Sequence, residues 1–135
     1  MGTLLGFDYG THRIGVAVGQ TVTATASALT TLNAVQQRPD WERISGLIEA
    51  WQPEALVVGL PYNMDDSETE VASRARRFAR QLEGRYHLPV HLVDERLTSL
   101  EATRQLGGAP KQKGEIDALA AKLILETWLG SVNAN

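Results

Sequence analysis

The chain has 135 residues, 43% of them apolar, a net charge of −3 and no cysteine. That length supports one domain with a full hydrophobic core, expected to span residues 1–135, and the missing cysteine excludes disulfide frameworks, thiolate nucleophiles and Cys-type zinc sites. The charge does not announce a nucleic-acid binder, yet ten of the thirteen basic residues are Arg, and local patches decide more than the total.

The chain opens with Met1-Gly2-Thr3-Leu4, which runs straight into a strand without the charged start and cleavage site of a secretory signal. No apolar run approaches the ~20 residues of a membrane span. A cytoplasmic protein with no membrane partner is expected.

The first third reads as β. Leu4–Asp8, Ile14–Val18 and Thr25–Leu32 are separated by short turn-bearing segments, the pattern of an antiparallel meander. Pro39-Asp40 opens a helix over Trp41–Trp51, with Trp41, Ile44, Leu47, Ile48 and Trp51 at helical spacing, and Pro53 ends it. Ala55–Leu60 is a short continuous apolar run, as a strand covered on both faces requires. A polar loop, Asn63–Ser67, leads to a helix from about Glu68 to Tyr86, with Val71, Ala75, Phe78, Ala79, Leu82 and Tyr86 as its buried stripe. Pro89–Val93 is a fifth strand, followed by Asp94-Glu95-Arg96. Thr98-Ser99-Leu100-Glu101 has the capping-box pattern and predicts a short helix ending at Gly107-Gly108. The basic, glycine-bearing segment Gly107–Gly114 is expected to be pliable, and a last helix runs from about Glu115 to Leu129. A meander followed by right-handed βαβ crossovers gives an α/β fold: a mixed five-stranded sheet with helices on both faces.

Three acids stand out. Asp8 ends the first strand before a turn through Gly10, where a carboxylate is costly to keep unless something cationic meets it. Its alternative role is an Asx-type turn residue. Glu95 follows the fifth strand; taken alone, it reads first as a solvent-facing acid paired with Arg96. Asp117 lies one turn into the last helix. At about 100° per residue, Ala120, Ala121, Ile124 and Trp128 fall within roughly 60° of it, so it sits on the apolar face. A plain response to the helix dipole would explain its sign but not that orientation. Asp8 and Glu95 both lie at carboxyl ends of strands, where ligands gather in such sheets. A helix across the sheet can bring Asp117 to them. Clustered carboxylates repel unless they share cations, and hard oxygen donors select Mg²⁺ or Mn²⁺. Two such ions about 4 Å apart suit phosphodiester hydrolysis.

Four blocks in order now matter: Gly6-Phe7-Asp8-Tyr9-Gly10-Thr11-His12-Arg13-Ile14-Gly15-Val16-Ala17-Val18; Gly59-Leu60-Pro61 with Asn63-Met64-Asp65; Asp94-Glu95-Arg96-Leu97-Thr98-Ser99; and Asp117-Ala118-Leu119-Ala120-Ala121. With these the chain resembles, over nearly its whole length, the YqgF family, ribonuclease H-like proteins described as pre-16S rRNA nucleases and as Holliday-junction-resolvase-like. The resemblance implies a ribonuclease H-like fold with sheet order 3-2-1-4-5. It implies Asp8, Glu95 and Asp117 as catalytic, metal-holding acids. It also implies trimming of the 5′ end of pre-16S rRNA in a bacterial cytoplasm. Gly19-Gln20 and Asp66 depart from residues frequent in that family; neither touches the three acids.

Among the basic residues, Arg13 and Arg96 flank two of the acids and either hold a phosphate or balance charge. Lys111 and Lys113 precede Asp117, placed to close over a bound strand. Arg76, Arg77 and Arg80 face away from their helix's apolar stripe, as a phosphate-tracking surface or, more simply, a solvated face. His12 is a turn histidine near Asp8. The leading expectation is a metal-dependent endonuclease acting on structured RNA, as monomer or homodimer. A resolvase of branched DNA would need a symmetric dimer. Two further classes stay open: an ATP-binding domain, because Asp8-Tyr9-Gly10-Thr11 is similar to the phosphate loop of actin-like ATPases, and a non-catalytic RNA or transcription factor on the same fold.

Overall fold

The computed structural model describes residues 2–61, 70–97 and 113–133. Strands β1 (Thr3–Asp8), β2 (Arg13–Gln20) and β3 (Thr25–Asn33) form the meander. Helix α1 (Trp41–Trp51) and strand β4 (Ala55–Leu60) follow. Then come α2 (Glu70–Tyr86), β5 (Val90–Asp94), a 3₁₀ turn (Glu95–Leu97) and α3 (Lys113–Asn133). The five strands lie in the order β3-β2-β1-β4-β5. β1 and β2 pair antiparallel, whereas β1–β4 and β4–β5 pair parallel. The expected mixed sheet and its order are borne out.

The helices divide between the faces as the strand alternation dictates. Leu5, Phe7, Ile14, Val16, Leu56, Val58 and Leu60 point to one side and pack with Ile44 of α1 and Phe78 and Leu82 of α2. Leu4, Ala17, Ala55, Val57 and Val93 point to the other and pack under Ala120, Ala121, Ile124, Leu125 and Leu129 of α3. Each fully buried Leu, Ile or Phe contributes about 1.5–3 kcal/mol. β4 is buried at all six positions, because both layers cover it.

Local signals set the helix ends. The Asp40 carboxylate accepts from the Arg43 N–H at 3.2 Å and caps α1, a contact worth about 1 kcal/mol. Gln52 takes the left-handed conformation and donates its N–H to Ile48 at 2.8 Å, closing the helix before Pro53.

Several expectations shift. β2 extends from Arg13 to Gln20 and α3 begins at Lys113, so Lys113 and Gly114 belong to the helix rather than to a loop. In α2 the buried stripe is Ala72, Ala75, Phe78, Ala79 and Leu82, and Val71 is 37% exposed. Small alanines face the sheet and turn Val71 to the flank. Only Ile44 of the α1 stripe is fully buried, and Trp51 is exposed. The expected helix after Thr98 and the loop at Asn63–Ser67 lie outside the described residues.

Candidate active site

The site starts from a row across the sheet on the α3 face. Asp8 pairs with Gly15 of β2. On its other side Phe7 pairs with Val58, so Asp8 and Gly59 follow side by side as β1 and β4 run on in parallel. Asp8 is thus a carboxylate held between two glycines, and it is buried, at 9% exposure.

Each glycine is a floor for another acid. A methyl group on Gly15 would overlap the Asp117 carbonyl, so α3 crosses β2 in direct backbone contact there. A methyl group on Gly59 would come within 2.5 Å of Ile124 and 3.1 Å of the Glu95 Cγ. The absence of side chains at these two positions lets α3 and the Glu95 stem lie against the sheet on either side of Asp8. Asp8, Glu95 and Asp117 therefore gather around one end of the sheet, on one face.

The carboxylates themselves have definite partners. Arg13 donates from Nε to Asp117 Oδ2 at 2.6 Å, with the two side chains 37% and 18% exposed. Arg96 donates to Asp94, not to Glu95: its Nη2 lies 2.6 Å from Oδ2, its Nε 3.1 and 3.0 Å from the two carboxylate oxygens, and its backbone N–H 2.9 Å from Oδ1. The Arg96 side-chain hydrogen bond holds the Asp94 carboxyl below its ordinary pKa. Burial opposes that, and the backbone N–H and the charge of Arg96 add to it. Asp94 is spoken for by its neighbour, and Glu95 is the acid aimed over Gly59.

As the side chains stand, no three His, Asp or Glu groups among the described residues converge closely enough to hold one ion. The donors are hard carboxylate oxygens, and Asp8 is buried where a cation would offset its charge, so the residues suit Mg²⁺ or Mn²⁺. Arg13 occupies one of the two Asp117 carboxylate oxygens. His12 is exposed in the turn after Asp8, with its carbonyl accepting from Ala34 at 2.8 Å. Lys111 lies outside the described residues, as does the side chain of Lys113.

Sequence reading missed the two glycine floors. Their signal was present as Gly15 and Gly59 on strands facing a helix whose own contact residues, Ala120 and Ala121, are small.

A family model described as RuvX, Holliday junction resolvase, matches residues 2–131. A Coxiella burnetii protein named "Putative pre-16S rRNA nuclease" is 57% identical over 127 residues, covering 93% of this chain and 90% of its own length. A protein of the same name from Azotobacter vinelandii is 52% identical over 130 residues, covering 93% and 92%. In three dimensions the chain is similar to T. thermophilus RuvC in complex with a Holliday junction substrate, with a TM-score of 0.59, 19% identity, and 97% and 96% of the two chains covered. It is also similar to the fowlpox virus resolvase in complex with Holliday junction DNA, with a TM-score of 0.56, 10% identity, and 97% and 99% covered. These two structures share the fold.

Proposed function

The chain belongs to the RuvX family, the YqgF family of the sequence resemblance, and from that premise we propose a divalent-metal-dependent endonuclease that processes the 5′ end of pre-16S rRNA in the cytoplasm, acting as a single ribonuclease H-like domain. One observation carries the reading: Asp8, buried at the end of β1, lies between two glycines over which Asp117 and Glu95 are seated. No helix among the described residues is long and apolar enough to cross a membrane.

In this reading Asp8, Glu95 and Asp117 would hold Mg²⁺ or Mn²⁺, whose chemistry when bound would be to activate a water and to stabilise charge on the leaving oxygen. Asp8 is fixed by the central strand and orients the site. Glu95, on the 3₁₀ turn, provides an oxygen from the β5 side. Asp117 closes it from α3. Arg13 neutralises Asp117 before ions and substrate arrive, then is free to meet a phosphate oxygen, for which its planar fork is suited. Arg96 is held by Asp94, so its role in phosphate binding depends on leaving that partner. Lys111 and Lys113 precede Asp117 in the chain and are assigned to the approaching strand.

The test is cleavage of a pre-16S rRNA fragment and of a four-way DNA junction with Mg²⁺ or Mn²⁺, comparing wild type with Asp8→Asn. Cleavage of the RNA that is lost with EDTA and in the variant is expected. Equal cleavage by the variant rejects the site. A second reading, resolution of branched DNA, is favoured by the description of the matching family. It requires a homodimer that cuts both strands of the junction. RNA binding without cleavage would instead indicate a non-catalytic factor.

A further inference from the structure

We propose that a cleft on the opposite sheet face, between the Gln36-Gln37 turn and α2, binds the sugar–phosphate backbone of the RNA substrate next to the acids. The inference rests on the nuclease reading for its substrate. The cleft has a volume of about 600 Å³, and its walls carry Arg38, Arg74, Arg77 and Arg85, with no Asp or Glu among the described lining residues. In a chain with a net charge of −3, four guanidinium groups around one concavity make a local anion site.

The cleft is built rather than incidental. Val35 and Arg38 exchange two backbone hydrogen bonds, of 3.1 and 2.9 Å, around a two-residue turn. Gln36 and Gln37 sit there at φ 52° and 63°, a conformation that Asn and Gly fill far more readily. The turn holds both residues in that conformation and sets two amides on the rim. Across the cleft, α2 places Arg74, Arg77, Gln81 and Arg85 on one face, clear of its buried stripe. Arg74 donates to Gln37 and ties the two walls together, and Glu70 pairs with Arg74 at 2.9 Å. The Arg85 guanidinium lies 4.0 Å over the Trp41 ring, which fixes both planes. Arg38 and Arg77 are exposed, and among the described residues neither has an acid within ion-pair distance.

The position fits the chemistry. Tyr9 lines the cleft and packs on Phe78 with ring centroids 5.2 Å apart. It directly follows Asp8, which faces α3. Cleft and acids therefore meet at the end of β1, from opposite sides of the sheet. A strand crossing that end sets one phosphate at the acids while its flanking phosphates reach the guanidinium forks, which bind phosphate without reading sequence.

The experiment measures binding of a fluorescent pre-16S rRNA fragment in EDTA, where cleavage cannot intervene, across a series of salt concentrations. An Arg38→Ala/Arg77→Ala double variant is compared with Arg43→Ala, an exposed arginine on α1 outside the cleft. The double variant is expected to bind about tenfold or more weakly, with a log–log salt slope shallower by about two, while Arg43→Ala leaves both unchanged. A matching loss on a four-way DNA junction supports a reader of backbone phosphates. Wild-type affinity and slope in the double variant overturn the proposal, whatever the cleavage assay shows. Wild-type protein that never cleaves, together with the expected loss of RNA binding in the double variant, rejects the nuclease reading and keeps the cleft.

Discussion

Arg13 Nε and Asp117 Oδ2 meet at 2.6 Å although 104 positions separate them in the chain. The contact ties the start of β2 to α3, where α3 rests on Gly15. It also sets a protein cation on a carboxylate proposed to hold ions, so in that reading Arg13 and a divalent ion compete for Asp117.

That competition gives a binding prediction. Arg13→Gln should bind Mn²⁺ several-fold more tightly than wild type in isothermal titration calorimetry without RNA. Because Arg13 is 37% exposed, the ion-free variant should lose only about 1 kcal/mol of stability. Weaker Mn²⁺ binding would show that Arg13 shapes the ion site rather than competing for it.

Asp8→Asn keeps the shape of the side chain and removes its charge. Cleavage should fall at least about a hundredfold, the scale seen when one charge-stabilising group is removed. Stability in urea without metal should change little, since the amide fills the same buried space as the carboxylate. A large drop in stability would make Asp8 a structural residue instead.

Glycine substitutions separate the floor of the site from ordinary helix positions. At Gly15 an added methyl group overlaps the Asp117 carbonyl, whereas at Gly46 in α1 nothing lies within 4 Å. Gly15→Ala should cost about 1–3 kcal/mol and displace Asp117, slowing cleavage. Gly46→Ala should stabilise by up to about 1 kcal/mol with cleavage unchanged. Denaturation midpoints and single-turnover rates measure both.

The Asp94–Arg96 pair predicts a pH dependence. The Asp94 pKa is lowered in the folded chain, chiefly by the Arg96 side-chain hydrogen bond. A carboxyl whose folded pKa lies below its unfolded value of about 3.9 stabilises the fold above that value. The contribution is lost as pH falls through the lower, folded pKa. Asp94→Asn should therefore be less stable than wild type by about 1 kcal/mol at pH 7, with both partners under a third exposed. The gap should narrow as the pH falls below the unfolded value toward the lower, folded pKa. A gap independent of pH, measured by urea titration in EDTA, would refute the role of the pair.

Much of the fold was legible because its signals are local. The bounds of α1 are set by Asp40, Pro53 and helical spacing, and those of β4 by six consecutive apolar residues; both agree with the structure. Val71 was misplaced because the apolar pattern of α2 is broad, and only packing selects Ala72 for the sheet. The pairing of Arg96 with Asp94 rather than Glu95 depends on where β5 stops and the 3₁₀ turn begins.

By itself the sequence determined the order of the described elements and the placement of Asp117 on the apolar side of its helix, and its family resemblance implied the sheet order. The first two follow from residues a few positions apart, whose spacing fixes the face they share. Only the tertiary structure decided that Gly15 and Gly59 floor the site, that Arg13 holds Asp117, and that the arginines of α2 face the Gln36-Gln37 turn across a cleft. Those are meetings between distant segments. They are set by how closely α3 and α2 settle on the two faces of the sheet, which no local pattern encodes.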